Sequence, residues 1–184
     1  MSNILTGDRP SGALHLGHYA GSLKNRVLLQ QNQLNADKLN TKSQGKLFLM
    51  IADTQSLTDN FSNPEKVRAS IIEIVKDYLS VGIDPSQWCI FLQSQISELF
   101  ELTAYFMNIV TLNNLQRVPT LKNEIKQKGY GDNLPMGFLN YPISQAADLL
   151  LFDAIQAPVG EDQLSIIELT NEIARKYNNL YNQE

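Results

Sequence analysis

The sequence predicts an α/β fold built on a doubly wound parallel sheet, and three observations carry that prediction. Short continuous apolar runs at residues 3–6, 47–52 and 88–92 have the length and composition of strands buried on both faces. Segments with helical spacing separate them, so the order reads strand, helix, strand, helix, strand. Each connection is long enough to hold a helix, which makes the strands parallel and the crossovers right-handed.

The elements follow in order along the chain. Residues 3–6 form a strand that meets a turn at Gly7. Residues 15–31 read as a helix, with Leu16, Leu23, Val27 and Leu28 near one face. Residues 31–46, rich in Gln, Asn and Lys, read as an exposed loop. After the second strand, Ser62-Asn63-Pro64-Glu65 offers a capping box with proline in the first turn. The helix it opens runs to about Val81 and stops at Gly82. Asp84-Pro85 turns the chain into the third strand. Helices at 97–112 and 113–128, followed by a glycine-containing loop at 129–138, make a helical insertion at about 97–140. Residues 141–152 read as a helix, 156–159 as a fourth strand and 161–181 as a last helix.

Composition agrees. The chain has 184 residues, 43% hydrophobic and 18% charged, which suits one domain over 1–184 with a substantial core. A net charge of −4 excludes a broadly basic nucleic-acid surface but leaves room for a local basic patch. The one cysteine, Cys89, lies in the third apolar run. It cannot pair within the chain, and it reads as a small buried hydrophobe of a cytosolic protein. No apolar run reaches the ~20 residues of a membrane helix, and the N-terminal stretch has no signal-peptide pattern.

Gly7-Asp8-Arg9-Pro10-Ser11-Gly12-Ala13-Leu14-His15-Leu16-Gly17-His18 joins the first strand to the first helix. Its glycines allow close approach to the backbone, and the helix start presents free N–H groups to an anion. The loop also leaves the C-terminal end of a strand, where open α/β sheets bind ligands. His15 and His18 share one face of the first helical turn. Either they cap a helix terminus or they serve a phosphate. Two histidines without a third strong ligand do not make a metal site, and no Gly-Lys-Ser/Thr follows to make a Walker loop.

Two further constellations stand out. Tyr141, Gln145 and Asp148 are spaced to share one helical face, giving donors and acceptors for a small polar ligand or simply a polar stripe. Asp148 precedes Leu149, Leu150, Leu151 and Phe152, and a carboxylate at the edge of a core needs a partner. In Gly160-Glu161-Asp162-Gln163 the acidic pair suits a helix dipole, or a ligand with hydroxyl groups.

His15-Leu16-Gly17-His18 resembles the His-x-Gly-His signature of class I aminoacyl-tRNA synthetases. The longer Gly-x-x-Pro-Ser-Gly-x-x-His-x-Gly-His resembles the tryptophan-activating branch of that family. The resemblance covers essentially the whole chain and implies a Rossmann-like catalytic domain that joins tryptophan to ATP, taken as its Mg²⁺ complex. It implies no tightly bound cofactor, a cytoplasmic enzyme, tRNA(Trp) as acceptor and a homodimer. By that resemblance His15, His18 and Lys122 are the electrostatic residues of catalysis. Arg9, Pro10, Ser11, Gly17 and His18 line the ATP site, with Gly160, Glu161 and Asp162 at the ribose and adenosine. Leu5, Gln55, Tyr141, Gln145, Asp148 and Gln163 line the tryptophan pocket, with Asp148 accepting the indole N–H. A carboxylate suits that role because an indole nitrogen only donates.

The pattern departs from the family at two places. Many members carry methionine at Gln145 and histidine at Gln55. Tyrosine-activating members share Tyr-x-x-x-Gln-Ala-x-Asp, which makes tyrosine, or another nucleotidylyl transfer, the alternative. The family's Lys-Met-Ser-Lys-Ser loop and anticodon-reading helical domain have no counterpart in the sequence. A severely impaired catalytic fragment, or a ligand-binding module without useful catalysis, is therefore expected.

Overall fold

The structure, a computed structural model, describes residues 3–38 and 45–181. Among these residues four parallel strands form one sheet in the order β3-β2-β1-β4: β1 Asn3–Asp8, β2 Leu47–Ile51, β3 Trp88–Leu92 and β4 Ala154–Gln156. Ile4 pairs with Leu47 and Leu47 with Trp88, so these three side chains share one face. The winding goes outward from β1 to β3 and returns to the other side of β1 with β4. That reversal is the doubly wound topology, and sheets of this type bind ligands at the C-terminal ends of the strands beside it.

The helices are α1 Leu16–His18, α2 Lys24–Lys38, α3 Asp53–Asn60, α4 Pro64–Ser80, α5 Ser97–Met107, α6 Leu112–Arg117, α7 Pro119–Lys128, α8 Met136–Leu151 and α9 Leu164–Tyr181. A π-helical turn, Tyr19–Leu23, connects α1 to α2, and a 3₁₀ turn, Glu161–Gln163, precedes α9. No described helix is long and apolar enough to cross a membrane.

Several elements differ from the sequence reading for identifiable reasons. The helix expected at 15–31 continues to Lys38, so only residues 39–44 of the expected loop lie outside the described residues. Its buried face is the predicted one only in part, with Leu23 in the core and Val27 packed against it. Leu16 and Leu28 are exposed, while Leu23, Arg26 and Gln30 are buried, because the π turn shifts the register and Arg26 has a buried partner. Residues 53–60, for which the sequence suggested no helix, form α3. The cap of α4 is Asn63, one residue later than the capping box predicted, and its side chain accepts from the Lys66 N–H. Pro119 divides the expected helix 113–128, because the residue before a proline is driven out of the helical region and Val118 is extended. The helix expected from 141 starts earlier, after Pro135 at Met136, so Pro142 sits inside α8. Strand β4 ends at Gln156, before Pro158, which lacks the N–H a ladder needs. Cys89 is exposed rather than buried, because alternation along β3 sends Trp88 and Ile90 to the core and Cys89 to the opposite face.

The chain divides into two compact units, residues 1–95 with 154–158, and 96–153 with 159–184. In the first, Ile4, Leu47, Leu49, Ile51 and Trp88 of the sheet pack with Leu23, Ile74 and Tyr78. In the second, Phe138, Tyr141, Ala146 and Ala147 of α8 pack with Phe106, Leu121, Ile166, Leu169 and Ile173. Each fully buried Leu or Ile contributes about 1.5–3 kcal/mol, so either cluster can hold its unit's elements in place.

Candidate functional site

In the first unit the loop after β1 ends in a reciprocal histidine cap. His15 is the N-cap of α1, and its Nδ1 accepts from the Gly17 N–H at 3.1 Å. The His18 Nδ1 accepts from the His15 N–H at 3.2 Å, and the two rings lie 4.0 Å apart. A neutral imidazole has one donor and one acceptor nitrogen, so both rings carry their proton on Nε2. The cap thus uses one nitrogen of each ring and leaves two Nε2–H donors beside the helix start. Gly17 belongs to the same device. A Cβ there would sit 2.9 Å from His15 Cε1 and 3.0 Å from its Nδ1, so a side chain would displace the ring. Leu16 between them points to solvent. Capping and ligand binding are therefore compatible in His-Leu-Gly-His, since they use different nitrogens.

The same loop is tied down along its length. The Arg9 guanidinium reaches Asp59 of α3 at 3.0 Å. Ser56 Oγ donates to the Pro10 carbonyl at 3.1 Å. The Leu14 N–H donates to Asp77 Oδ2 of α4 at 2.8 Å. Ser11 is exposed. At the base of the loop Asp8 accepts from both terminal nitrogens of Arg26, one of them at 3.2 Å, and from the Tyr78 hydroxyl at 2.6 Å. Burial alone would raise the Asp8 pKa. The hydrogen bond and charge of Arg26, then the Tyr78 hydroxyl, hold it below the ordinary carboxylate range. Burial and the Asp8 charge push the Tyr78 hydroxyl far up. Arg26 and Tyr78 carry no signal in the sequence pattern. They lie 18 and 70 positions from Asp8, and only the fold brings them together.

Leu5 and Gln55 of the expected amino-acid pocket are also in this unit. Leu5 is buried in β1. Gln55 is half-buried in the first turn of α3, where its N–H is held by Gln93 Oε1 at 3.1 Å. Gln93 is 1% exposed and also takes the Thr54 hydroxyl, so an amide fixes the start of α3. Asp53 accepts from the Ser94 N–H at 2.9 Å.

In the second unit α8 carries Tyr141 and Asp148, both buried, with Asp148 only 1% exposed. Tyr141 packs edge-on against Phe138, ring centres 5.6 Å apart. Gln145 is half-buried, and its Nε2 reaches Gln163 Oε1 at 3.5 Å. Gln163 Nε2 in turn donates to Asp162 Oδ2 at 2.7 Å. So Gln145, Gln163 and Asp162 are brought into one line of contacts. The Asp162 carboxylate folds back over Gly160, where a Cβ would come within 2.5 Å of Asp162 Oδ1. The Thr120 hydroxyl donates to the Asp162 carbonyl and lies 2.7 Å from Ser165 Oγ, which ties the start of α7 to this turn. Glu161 and Lys122 are exposed. Among the described residues no three His, Cys, Asp or Glu side chains are grouped to hold a metal ion.

The fold and site are those of a doubly wound α/β protein with a capped His-x-Gly-His loop at the switch point of its sheet. Comparison with known proteins is more specific: residues 1–184 match the model of the class I tRNA synthetases (W and Y), and the chain belongs to that family. It is 55% identical over 181 residues to the tryptophan–tRNA ligase of Clostridium longisporum, a match covering 98% of this chain and 50% of that protein. The crystal structure of tryptophanyl-tRNA synthetase from Campylobacter jejuni, complexed with ADP and tryptophan, is similar with a TM-score of 0.82 at 32% identity. That match covers 96% of this chain and 50% of that one. The tryptophanyl-tRNA synthetase of Mycoplasma pneumoniae gives a TM-score of 0.83 at 32% identity, over 100% of this chain and 49% of that one. The chain spans about half the length of the curated relatives it matches.

Proposed function

We propose that this chain carries the tryptophan-activating site of a tryptophan–tRNA ligase, which condenses tryptophan with ATP·Mg²⁺ to tryptophanyl-adenylate and pyrophosphate. The observation that carries the reading is Asp148, a carboxylate 1% exposed on α8 beside two polar residues at helical spacing. An ionised carboxylate only accepts hydrogen bonds, which suits a substrate N–H, and the indole ring of tryptophan supplies one. The relatives that cover this chain at more than half identity are tryptophan ligases, which supports the same choice.

In this reading no protein nucleophile acts. A carboxylate oxygen of tryptophan attacks the α-phosphorus, and the bond from that phosphorus to the oxygen bridging to the β-phosphate breaks. Pyrophosphate leaves with Mg²⁺. The protein positions the reactants and stabilises charge. In the first unit the Nε2–H groups of His15 and His18 donate to phosphate oxygens, with Arg9, Pro10, Ser11 and Gly17 shaping the loop around ATP and Leu5 and Gln55 meeting the amino acid. In the second unit Asp162 accepts the ribose hydroxyls, with Gly160 and Glu161 beside it. Lys122 supplies a cation to the phosphates. Tyr141, Gln145 and Gln163 surround the amino acid. Transfer to tRNA(Trp), a homodimeric assembly and a cytoplasmic setting belong to the same reading.

Calorimetric titration of the full chain tests it, using tryptophan, tyrosine, phenylalanine and the tryptophan analogue in which sulfur replaces the indole N–H. A site built to accept that N–H rejects the analogue by ~10⁴-fold, because the carboxylate is left unpaired. Tyrosine binding in place of tryptophan would redirect the assignment. Equal binding of tryptophan and its sulfur analogue would remove Asp148 from the recognition.

A further inference from the structure

We propose that Asp8, Arg26 and Tyr78 are positioning residues. Together they form a buried clasp that fixes the glycine loop, and with it the two imidazole donors that meet ATP. The proposal rests on the reading of that loop as an ATP site.

The clasp joins both sides of the loop. Asp8 is the last residue of β1, immediately before Arg9. Arg26 lies in the first turn of α2, just past the π turn that follows His18. Its guanidinium is 3% exposed and spans both Asp8 oxygens, and it also reaches the Gly7 carbonyl at 3.3 Å. The strand that enters the loop and the helix that leaves it are thus bonded directly to each other. Tyr78, fully buried on α4, donates to the same Asp8 oxygen, and Arg26 lies 5.9 Å from the centre of its ring. The next residue down α4, Asp77, holds the Leu14 N–H at the far end of the loop. One helix therefore grips the loop at its start through Tyr78 and at its end through Asp77. His15 follows Leu14 directly, so the position of its ring is inherited from this frame.

Stability alone does not account for the arrangement. Buried ion pairs are a weak source of stability, and apolar pairs of similar volume commonly replace them without loss. What an Arg–carboxylate fork supplies is a planar two-point geometry, which an apolar pair does not reproduce. Electrostatic stabilisation of a reacting phosphate depends on such geometry. A displacement of ~1 Å in a donor costs on the order of 10²-fold in rate.

The experiment uses the full chain and two variants. Tyr78→Phe removes one hydroxyl and keeps the ring in the core. The double variant Asp8→Leu with Arg26→Met removes the ion pair without leaving either charge alone. Melting temperature, pyrophosphate-exchange kinetics, and amide hydrogen exchange at Leu14, His15 and Gly17 are read for each. We expect melting temperatures near the parent's and an unchanged KM for tryptophan. The value of kcat/KM for ATP should fall roughly tenfold for Tyr78→Phe and about 10²-fold for the double variant. Amide exchange at the three positions should be faster in both. Parental ATP kinetics with parental amide exchange in a folded variant overturns the clasp. If the double variant does not fold, Tyr78→Phe decides by the same readouts. If the parent binds no tryptophan in the calorimetric titration, the proposed function fails. The amide measurement then still judges the clasp, faster exchange supporting it and unchanged exchange overturning it.

Discussion

At His15 the nitrogen that closes the first helical turn is also the reason the other nitrogen carries the proton. Nδ1 accepts from the Gly17 N–H, so Nε2 is left as the donor, and His18 repeats the arrangement through the His15 N–H. This separates two roles that the sequence pattern left joined. His15→Asn keeps an N-cap acceptor but removes the Nε2–H. It should melt close to the parent and lose on the order of 10²-fold in adenylation rate, as expected for one lost charge-stabilising donor. His15→Ala loses the cap as well, at about 0.5–2 kcal/mol of stability. Gly17→Ala should resemble His15→Asn in rate, because its Cβ would press on the His15 ring at 2.9 Å. Melting curves beside pyrophosphate exchange check all three. Full activity in His15→Asn would leave the ring with a capping role alone.

At the scale of elements, the tie between α7 and the turn before α9 is the contact most open to test. The Thr120 hydroxyl reaches the Asp162 carbonyl and Ser165 Oγ, so Thr120→Val leaves the backbone of the turn without that donor. We expect about 1 kcal/mol lost in stability and a KM for ATP raised several-fold through displacement of Asp162, with the KM for tryptophan less affected. A KM for ATP equal to the parent's would show that Asp162 is held by other means. That tie also marks the limit of what the sequence revealed. The strands β1, β2 and β3 were legible because continuous apolar runs have few alternatives. Local motifs such as His15 to His18 and Gly160 to Gln163 were legible as spacings. What was not legible is contact at long range: Arg26 with Asp8, Gln93 with Thr54 and Gln55, Thr120 with Asp162. In a one-dimensional reading each of these polar residues looks like solvated surface. Prolines misled in both directions, since Pro119 breaks a helix while Pro142 is carried inside one. A lone proline reads the same in both cases until its neighbours' packing is known.

For the whole molecule, the buried network in the first unit adds to how stability follows pH at both extremes. The Asp8 pKa lies below its ordinary value of 3.8, because Arg26 and Tyr78 outweigh the effect of burial. A depressed carboxylate binds its proton less readily folded than unfolded. Its contribution is therefore present above pH 3.8 and is lost as pH falls through the lower, folded value. Tyr78 acts at the other end. Burial and the Asp8 charge raise its pKa above the ordinary 10.0, so the unfolded chain ionises first. Its contribution is complete below pH 10.0 and is lost as pH climbs from there toward the folded value. Between these limits the two groups add no slope. Thermal unfolding across the pH range checks both arms by difference from the parent, which cancels the other titrating groups. Asp8→Asn should be less stable than the parent at neutral pH, with Arg26 left facing a neutral amide, yet its melting temperature should fall less steeply on acidification below about pH 4. Tyr78→Phe should flatten the alkaline limb above about pH 10 and keep most of the acid one. If the acid limb of Asp8→Asn runs parallel to the parent's, the carboxylate that governs acid unfolding lies elsewhere in the chain.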